Sequence, residues 1–223
     1  MSSASRRILL ATRNGGKLQE VRDLLSDLPV EIVSLADFPD APDVAEDGFT
    51  FRDNALQKAR VFARWSGRMA LADDSGLEVD GLGGRPGVWS ARYAGEGAND
   101  DANNRKLLGE LVGVPTERRT ARFRCVLALV HPDGREWVVE GSCEGRIASE
   151  PRGKQGFGYD PLFLVTELDK TFAELGPQIK NRTSHRAKAL QEMRAIMQGI
   201  LGRRNRSNLR AEVRRGGSRP ARA

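Results

Sequence analysis

LADDSGLEVDGLGGRPGVWSARYAG, residues 71–95, is the stretch on which the reading of this chain turns. It opens at the end of an apolar run, Met69-Ala70-Leu71-Ala72, which predicts a short buried strand. Asp73 and Asp74 follow at once, and Ser75-Gly76 predict a break in the strand. Carboxylates at the end of a buried strand need compensation, because an unpaired buried charge is costly. A cation supplies it. Hard oxygen ligands on a rigid strand end suit Mg2+, and Mg2+ suits phosphates. Gly81-Leu82-Gly83-Gly84 is not a dinucleotide fingerprint, since Pro86 and Gly87 stand where a helix should begin. Trp89, Ser90, Arg92 and Tyr93 then form a loop suited to a ligand, a partner subunit or packing beneath it.

Upstream, residues 7–11 predict a first strand and residues 12–17, TRNGGK, a polar glycine loop. A helix follows from near Lys17, with Leu18, Val21, Leu24 and Leu25 on one face. Strand, glycine loop and helix point N–H groups and a helix dipole at an anion, although the Walker spacing is absent. Residues 30–35 predict a second strand and residues 37–47 an exposed loop ending in Glu46-Asp47-Gly48. A long helix over residues 51–65 turns Ala55, Ala59, Phe62 and Ala63 to a core. It carries Asp53, Asn54 and Lys58 on its polar side, either solvated or aimed at a phosphate.

Downstream, residues 99–111 predict a helix. Residues 122–130 and 136–142 predict strands joined by the turn His131-Pro132-Asp133-Gly134, and residues 145–148 a further short strand. GKQGFGYD, residues 153–160, is a second glycine loop, whose Phe157 and Tyr159 suit stacking on a flat ring. Residues 171–175 read as part of a short helix. Thr183 or Ser184 caps a last helix over residues 185–201, with Ala189, Leu190, Met193, Ile196, Met197 and Ile200 inward.

The net charge of +6 is a property of one end. Residues 202–223 hold eight Arg and one Glu, +7, so the remainder carries +6 − 7 = −1. That Arg-rich tail has too few apolar residues for a core and reads as disordered, a solvated extension or a nucleic-acid- or membrane-surface-binding arm. Residues 1–201 read as a single domain with no interior linker. No apolar run nears the roughly 20 residues of a membrane span, and the N-terminus lacks a leader pattern, so a cytoplasmic protein is expected. Cys125 and Cys143 lack metal spacing and read as reduced core thiols. Two histidines exclude a histidine-rich metal site.

These segments converge on a Mg2+-dependent nucleotide enzyme. Five of them in order also resemble one family: ATRNGGK at 11–17, EDGFTFRDNALQKA at 46–59, the stretch at 71–95, GFGYDPLF at 156–163 and SHRAKAL at 184–190. The chain resembles the inosine triphosphate pyrophosphatases, enzymes of non-standard purine nucleotides. The resemblance spans residues 8 to about 200. It implies an elongated, two-lobed α/β fold, a long mixed central sheet flanked by helices, and an active site in the cleft between lobes. It implies a homodimer that hydrolyses ITP, dITP and XTP to the monophosphate and pyrophosphate, clearing deaminated purines from the nucleotide pool.

By the same resemblance Asp74 is the catalytic carboxylate and a Mg2+ ligand, Asp73 supports it, and Glu46 is the second metal carboxylate, with Asp47 one residue away as the alternative. Thr12, Arg13, Asn14, Gly15, Gly16 and Lys17 would hold the triphosphate. Asn54, Lys58 and Lys180 would reach phosphate or ribose, and Ser75 would contact the substrate. Phe157, Gly158, Tyr159 and Asp160 would form the base platform, and His185 and Arg186 would read the purine edge. A 6-oxo group accepts hydrogen bonds where an amino group donates, so a donor there separates inosine from adenosine.

Three rivals remain. A related sanitising enzyme for pyrimidine or modified nucleotides would share the metal chemistry but not the SHR and GFGYD segments. A non-enzymatic RNA-binding protein would work through the tail and lose salt-sensitive binding without residues 202–223. A serine hydrolase is a poor fit, since Ser75-Gly76 lacks the G-x-S-x-G context.

Overall fold

Arg6–Leu10 (β1) and Val30–Ser34 (β2) pair in parallel, and β1 pairs in parallel with Met69–Val79 (β3) on its other side. From β3 onward every pairing is antiparallel: Thr120–Val130 (β4), Glu136–Ile147 (β5), Phe163–Val165 (β6) and Lys170–Thr171 (β7). The result is a mixed seven-stranded sheet in the order β2-β1-β3-β4-β5-β6-β7. The computed structural model describes the backbone of residues 6–215 and the side chains of residues 7–202.

The helices are Gly15–Leu24 (α1), Phe51–Ser66 (α2), Asp100–Glu110 (α3), Phe172–Thr183 (α4) and His185–Arg215 (α5). Their starts follow local rules. Asn14 caps α1 by accepting from the Lys17 N–H at 3.0 Å, and Thr50 caps α2 by accepting from Asp53 at 3.1 Å. Gly67, in the left-handed region at φ 62°, closes α2. α4 is broken at Gly176, just before Pro177.

Three buried clusters divide the molecule. On one face of the sheet, α1 and α5 cover Leu71, Cys125, Leu127 and Leu129. On the other, α2 covers Ala70, Ala72, Val126 and Ala128 with Ala55, Ala59, Phe62 and Ala63. A third cluster, around Leu77, Phe123, Phe163 and Phe172, fills the antiparallel end under α3 and α4. β3 and β4 run through both ends and join the two lobes.

Several expected boundaries move. β3 does not break at Ser75-Gly76 but continues to Val79, because ten consecutive residues pair with β4. Gly76 is needed there for closeness: a Cβ would lie 2.5 Å from the Gly87 carbonyl and 2.5 Å from Ser90 Oγ. The separate strand expected at 145–148 is the end of β5, which pairs along its length with β4. The short helix expected at 171–175 runs on to Thr183. The last helix runs to Arg215 rather than 201, so the part of the Arg-rich tail over residues 202–215 is helical. The expectation for residues 216–223 lies outside the described residues. Asn54 and Lys58, placed on a polar helix side, are buried at 1% and 6% exposure.

Candidate functional site

Successive strand residues point to opposite faces. β3 therefore sends Asp73 and Ser75 toward α1 and α5, and Asp74 toward α2. Asp73 is surrounded there. Lys17 Nζ lies 2.5 Å from Oδ1, Arg186 Nε donates to Oδ2 at 2.7 Å, Ser75 Oγ donates to Oδ1 at 2.5 Å and Cys125 Sγ to Oδ2 at 3.3 Å. Burial opposes the charge of Asp73, but the Arg186 guanidinium and the Lys17 ammonium outweigh it and hold the carboxyl well below the usual range.

Asp74 is treated differently. Asn54 Nδ2 donates to its Oδ2 at 3.0 Å, and Lys58 Nζ stands 3.7 Å from Oδ1. Burial pushes its pKa up, Lys58 and Lys17 offset only part of this, and Glu46 pushes the same way. Glu46 Oε1 is 2.9 Å from the same Lys58 Nζ, which also donates to the Asp73 carbonyl at 2.9 Å. Asn54 accepts from Gly48 N at 2.8 Å and Arg92 donates to the Glu46 carbonyl at 2.6 Å, so the loop carrying Glu46 is fixed against α2. Asp47, the alternative, is exposed.

Two adjoining pockets open here. Asp74, Glu46, Lys58, Thr12 and Arg13 line one; Phe157, Tyr159, Asp160, Lys180 and His185 line the other. Asn14, Lys17, Ser75 and Ala91 line both and form the shared wall. Arg13 is tied outward, to Asp43 at 3.0 Å and the Ala41 carbonyl. Gly15 and Gly16 line neither pocket, but a Cβ on Gly16 would meet the Phe157 ring at 2.6 Å, so the first glycine loop packs on the second.

In the second pocket Phe157 is half-buried beneath two cations, Lys180 Nζ at 4.3 Å from its centroid and the Arg186 guanidinium at 5.8 Å. Tyr159 is buried, and its hydroxyl donates to the Ser90 carbonyl at 2.8 Å. Its ring is thus a pillar under the loop rather than an open stacking face. Lys180 bridges Asp160 at 2.6 Å and Glu20 at 2.9 Å, and Arg186 Nη1 donates to Glu20 at 2.5 Å. All three Arg186 nitrogens already donate within the protein, the third to Ser75 Oγ at 3.1 Å. His185 stacks on Phe123, centroids 4.7 Å apart, and its Nδ1 is buried with no partner among the described residues. Burial, with Arg186 and Lys180 nearby, pushes its pKa well below the ordinary histidine value, so it is neutral.

Sequence reasoning missed Glu20, one helical turn beyond Lys17, a spacing that was available as a signal. It also missed Cys125, visible only once β4 pairs with β3 in register, and the polar first turn of α3. No group of three His, Cys, Asp or Glu side chains gathers as a metal site among the described residues. Two carboxylates, Asp74 and Glu46, facing one ammonium fit an ion that takes one or two carboxylates and fills its shell from phosphates and water, which is the habit of Mg2+.

A mixed sheet with a capped, lysine-bearing helix start beside paired carboxylates, and an aromatic pocket next to it, defines the class: an α/β protein with a cleft shaped for a nucleotide. The comparisons make it specific. The chain belongs to the Ham1 family, whose model matches residues 8–196. It is 55% identical over 200 residues to a dITP/XTP pyrophosphatase of Geobacillus kaustophilus, covering 90% of this chain and 98% of the relative. A dITP/XTP pyrophosphatase of Geobacter sulfurreducens is 56% identical over 196 residues, covering 88% of this chain and 96% of the relative. Among solved structures, a HAM1 protein from Coxiella burnetii superposes with a TM-score of 0.79 at 43% identity, covering 87% and 99% of the two chains.

Proposed function

We propose that this chain hydrolyses dITP, ITP and XTP between the α- and β-phosphates, releasing the nucleoside monophosphate and pyrophosphate. The observation that carries the reading is Asp74: a buried carboxylate with one amide partner, lining with Lys17, Lys58 and Glu46 the pocket that adjoins the aromatic one. The names of the relatives point to the same substrates.

In this reading the triphosphate lies along the start of α1, where unpaired N–H groups, the helix dipole and Lys17 favour an anion. Lys58 adds a second positive charge and orients both Glu46 and Asp74. Ionised Asp74 takes the proton of the attacking water, and pyrophosphate leaves. Mg2+ held by Asp74 and Glu46 would neutralise charge on the phosphate oxygens. The purine enters the second pocket against Phe157. Neutral His185 offers the donor that a 6-oxo group accepts. Arg186 anchors the wall between the pockets through Asp73, Ser75 and Glu20.

The reading includes a homodimer, whose partner copy would cover the exposed Phe49 and Trp89 that border one groove beside Pro86. It includes a cytoplasmic setting, in keeping with two free, buried cysteines. No described helix is long and apolar enough to cross a membrane.

The test is pyrophosphate release from dITP, ITP, XTP, dGTP and ATP, with and without Mg2+, together with light scattering for the dimer. Metal-dependent pyrophosphate from the inosine and xanthosine nucleotides is the expected result. Release of single phosphates, or no preference over dGTP and ATP, would sink the reading.

A further inference from the structure

The start of α3 has no role in the reaction as read above, yet three of its four polar side chains, Asp100, Asn103 and Asn104, grip backbone at the cleft. Asp100 Oδ2 accepts from the Gly158 N–H at 2.6 Å, and Asn104 Nδ2 donates to the Gly158 carbonyl at 3.0 Å. Both peptide groups of one glycine are thus held by side chains at i and i+4 of one helix face. Between them Asn103 holds the opposite wall, accepting from Ala94 N at 2.8 Å and donating to the Ala91 carbonyl at 3.2 Å.

Gly158 sits in the left-handed region, φ +63°, between Phe157 and Tyr159. Glycine visits that region freely but is not confined to it, so something else must fix the loop. A second observation separates a grip for function from a grip for stability. Asn104 is buried, and its Oδ1 has no partner among the described residues. A buried acceptor left unpaired is a net loss to the folded state. The amide therefore leaves one of its own atoms unpaired while it holds the Gly158 carbonyl.

We propose that Asp100 and Asn104 are positioning residues for the base platform: they fix the peptide groups of Gly158 so that Phe157 meets the purine in one orientation, and so set purine selectivity rather than phosphate chemistry. The inference rests on the nucleotide reading given above. Its separation from the phosphate end is geometric. Asn104 lines neither pocket, and Asp100 lines only the aromatic one.

The test is steady-state kinetics on dITP and dGTP for Asn104→Ala, Asp100→Ala and Asp100→Asn, with a melting curve for each. Asn104→Ala should raise KM for dITP about tenfold, the low end of what one pocket contact discriminates, with kcat within about twofold. The preference for dITP over dGTP should narrow. Asp100→Ala should act in the same direction, and Asp100→Asn, which keeps an acceptor oxygen, should recover most of the loss. A fall in kcat at constant KM, an unchanged preference, or a lowered Tm with both constants falling together would overturn the proposal. Wild-type enzyme in the same assay separates the two readings. If it prefers a different nucleotide, the substrate reading fails and the clamp is judged by the same KM change on that nucleotide. If it hydrolyses none, both fail.

Discussion

The two faces of β3 present neighbouring carboxylates to opposite fates. On the face under α1 and α5, Asp73 meets two cations, a hydroxyl and a thiol, and its charge is fully matched. On the face under α2, Asp74 meets one amide and a lysine shared with Glu46. One carboxylate is complete without a ligand and the other is not. A single residue step along a strand is enough to give one carboxylate a full set of partners and leave its neighbour short of them, because the pleat gives each its own surroundings.

Replacing the incomplete member should give the largest effect. Asp74→Asn should lower kcat by about 10²- to 10⁴-fold, the usual contribution of a positioned proton acceptor, read as pyrophosphate release from dITP. The fold should survive, since the amide removes a buried charge. A variant with more than about a tenth of wild-type kcat would contradict the role by that same scale.

Replacing the complete member should strike stability instead. Asp73→Asn leaves Lys17 and Arg186 facing each other without their shared counter-charge. Breaking a buried pair in this way costs about 3–5 kcal/mol. Chemical denaturation measures it, and a loss below about 1 kcal/mol, the scale of a surface pair, would erase the contrast between the faces.

The glycines sharpen the comparison at smaller scale. A Cβ at Gly141 would lie 2.2 Å from the His185 carbonyl, under α5, and one at Gly76 would lie 2.5 Å from the Gly87 carbonyl, on the α2 side. Either change to alanine should cost about 1–3 kcal/mol by overpacking. Gly141→Ala should also disturb purine selection through His185. Kinetics on dITP and dGTP for the two variants would show whether the disturbance stays on its own face.

Acid should move the two carboxylates in opposite senses. The pKa of Asp73 is depressed by folding, so its contribution is present above the ordinary carboxylate range and is lost as pH falls through its folded value. The pKa of Asp74 is raised, so its contribution is present below that range and is lost as pH rises through the folded value. Melting curves from about pH 4 to about pH 8 should therefore show a smaller loss of stability on the rise toward neutrality for Asp74→Asn than for wild type. Parallel curves would count against the raised pKa.

Local signals made much of this readable before any coordinates. Ser184, one of two expected caps, does start the last helix, and the apolar spacing of α2 and α5 matches the buried faces found. Asp73, Asp74, Lys17 and Phe157 do converge on one cleft. What escaped depends on distant partners. Ser75-Gly76 reads as a break until β4 supplies ten pairing residues. Glu20 reads as a surface helix residue until Arg186, 166 positions later, arrives beside it. Asp100 and Asn104 look like ordinary helix polarity until a glycine loop more than fifty residues away folds under them. The resemblance set Asp74 ahead of Asp73, but which partners each carboxylate meets required the register of the sheet, which no local pattern carries.

α5 begins with two residues that line the aromatic pocket, His185 and Arg186, and continues directly into the core through Ala189, Leu190, Met193 and Met197. α1 likewise leads from Lys17 to Val21 and Leu25 in the same cluster. Amide protons in the hydrogen-bonded turns of these helices, from Val21 and Ala189 onward, should then exchange with solvent mainly when the whole domain opens. The Asp43–Phe49 segment, tethered by a few side-chain bonds, should exchange by local opening and far sooner. The aromatic end of the cleft is thus rooted in slowly exchanging helices, and the end that carries Glu46 in a segment that opens locally.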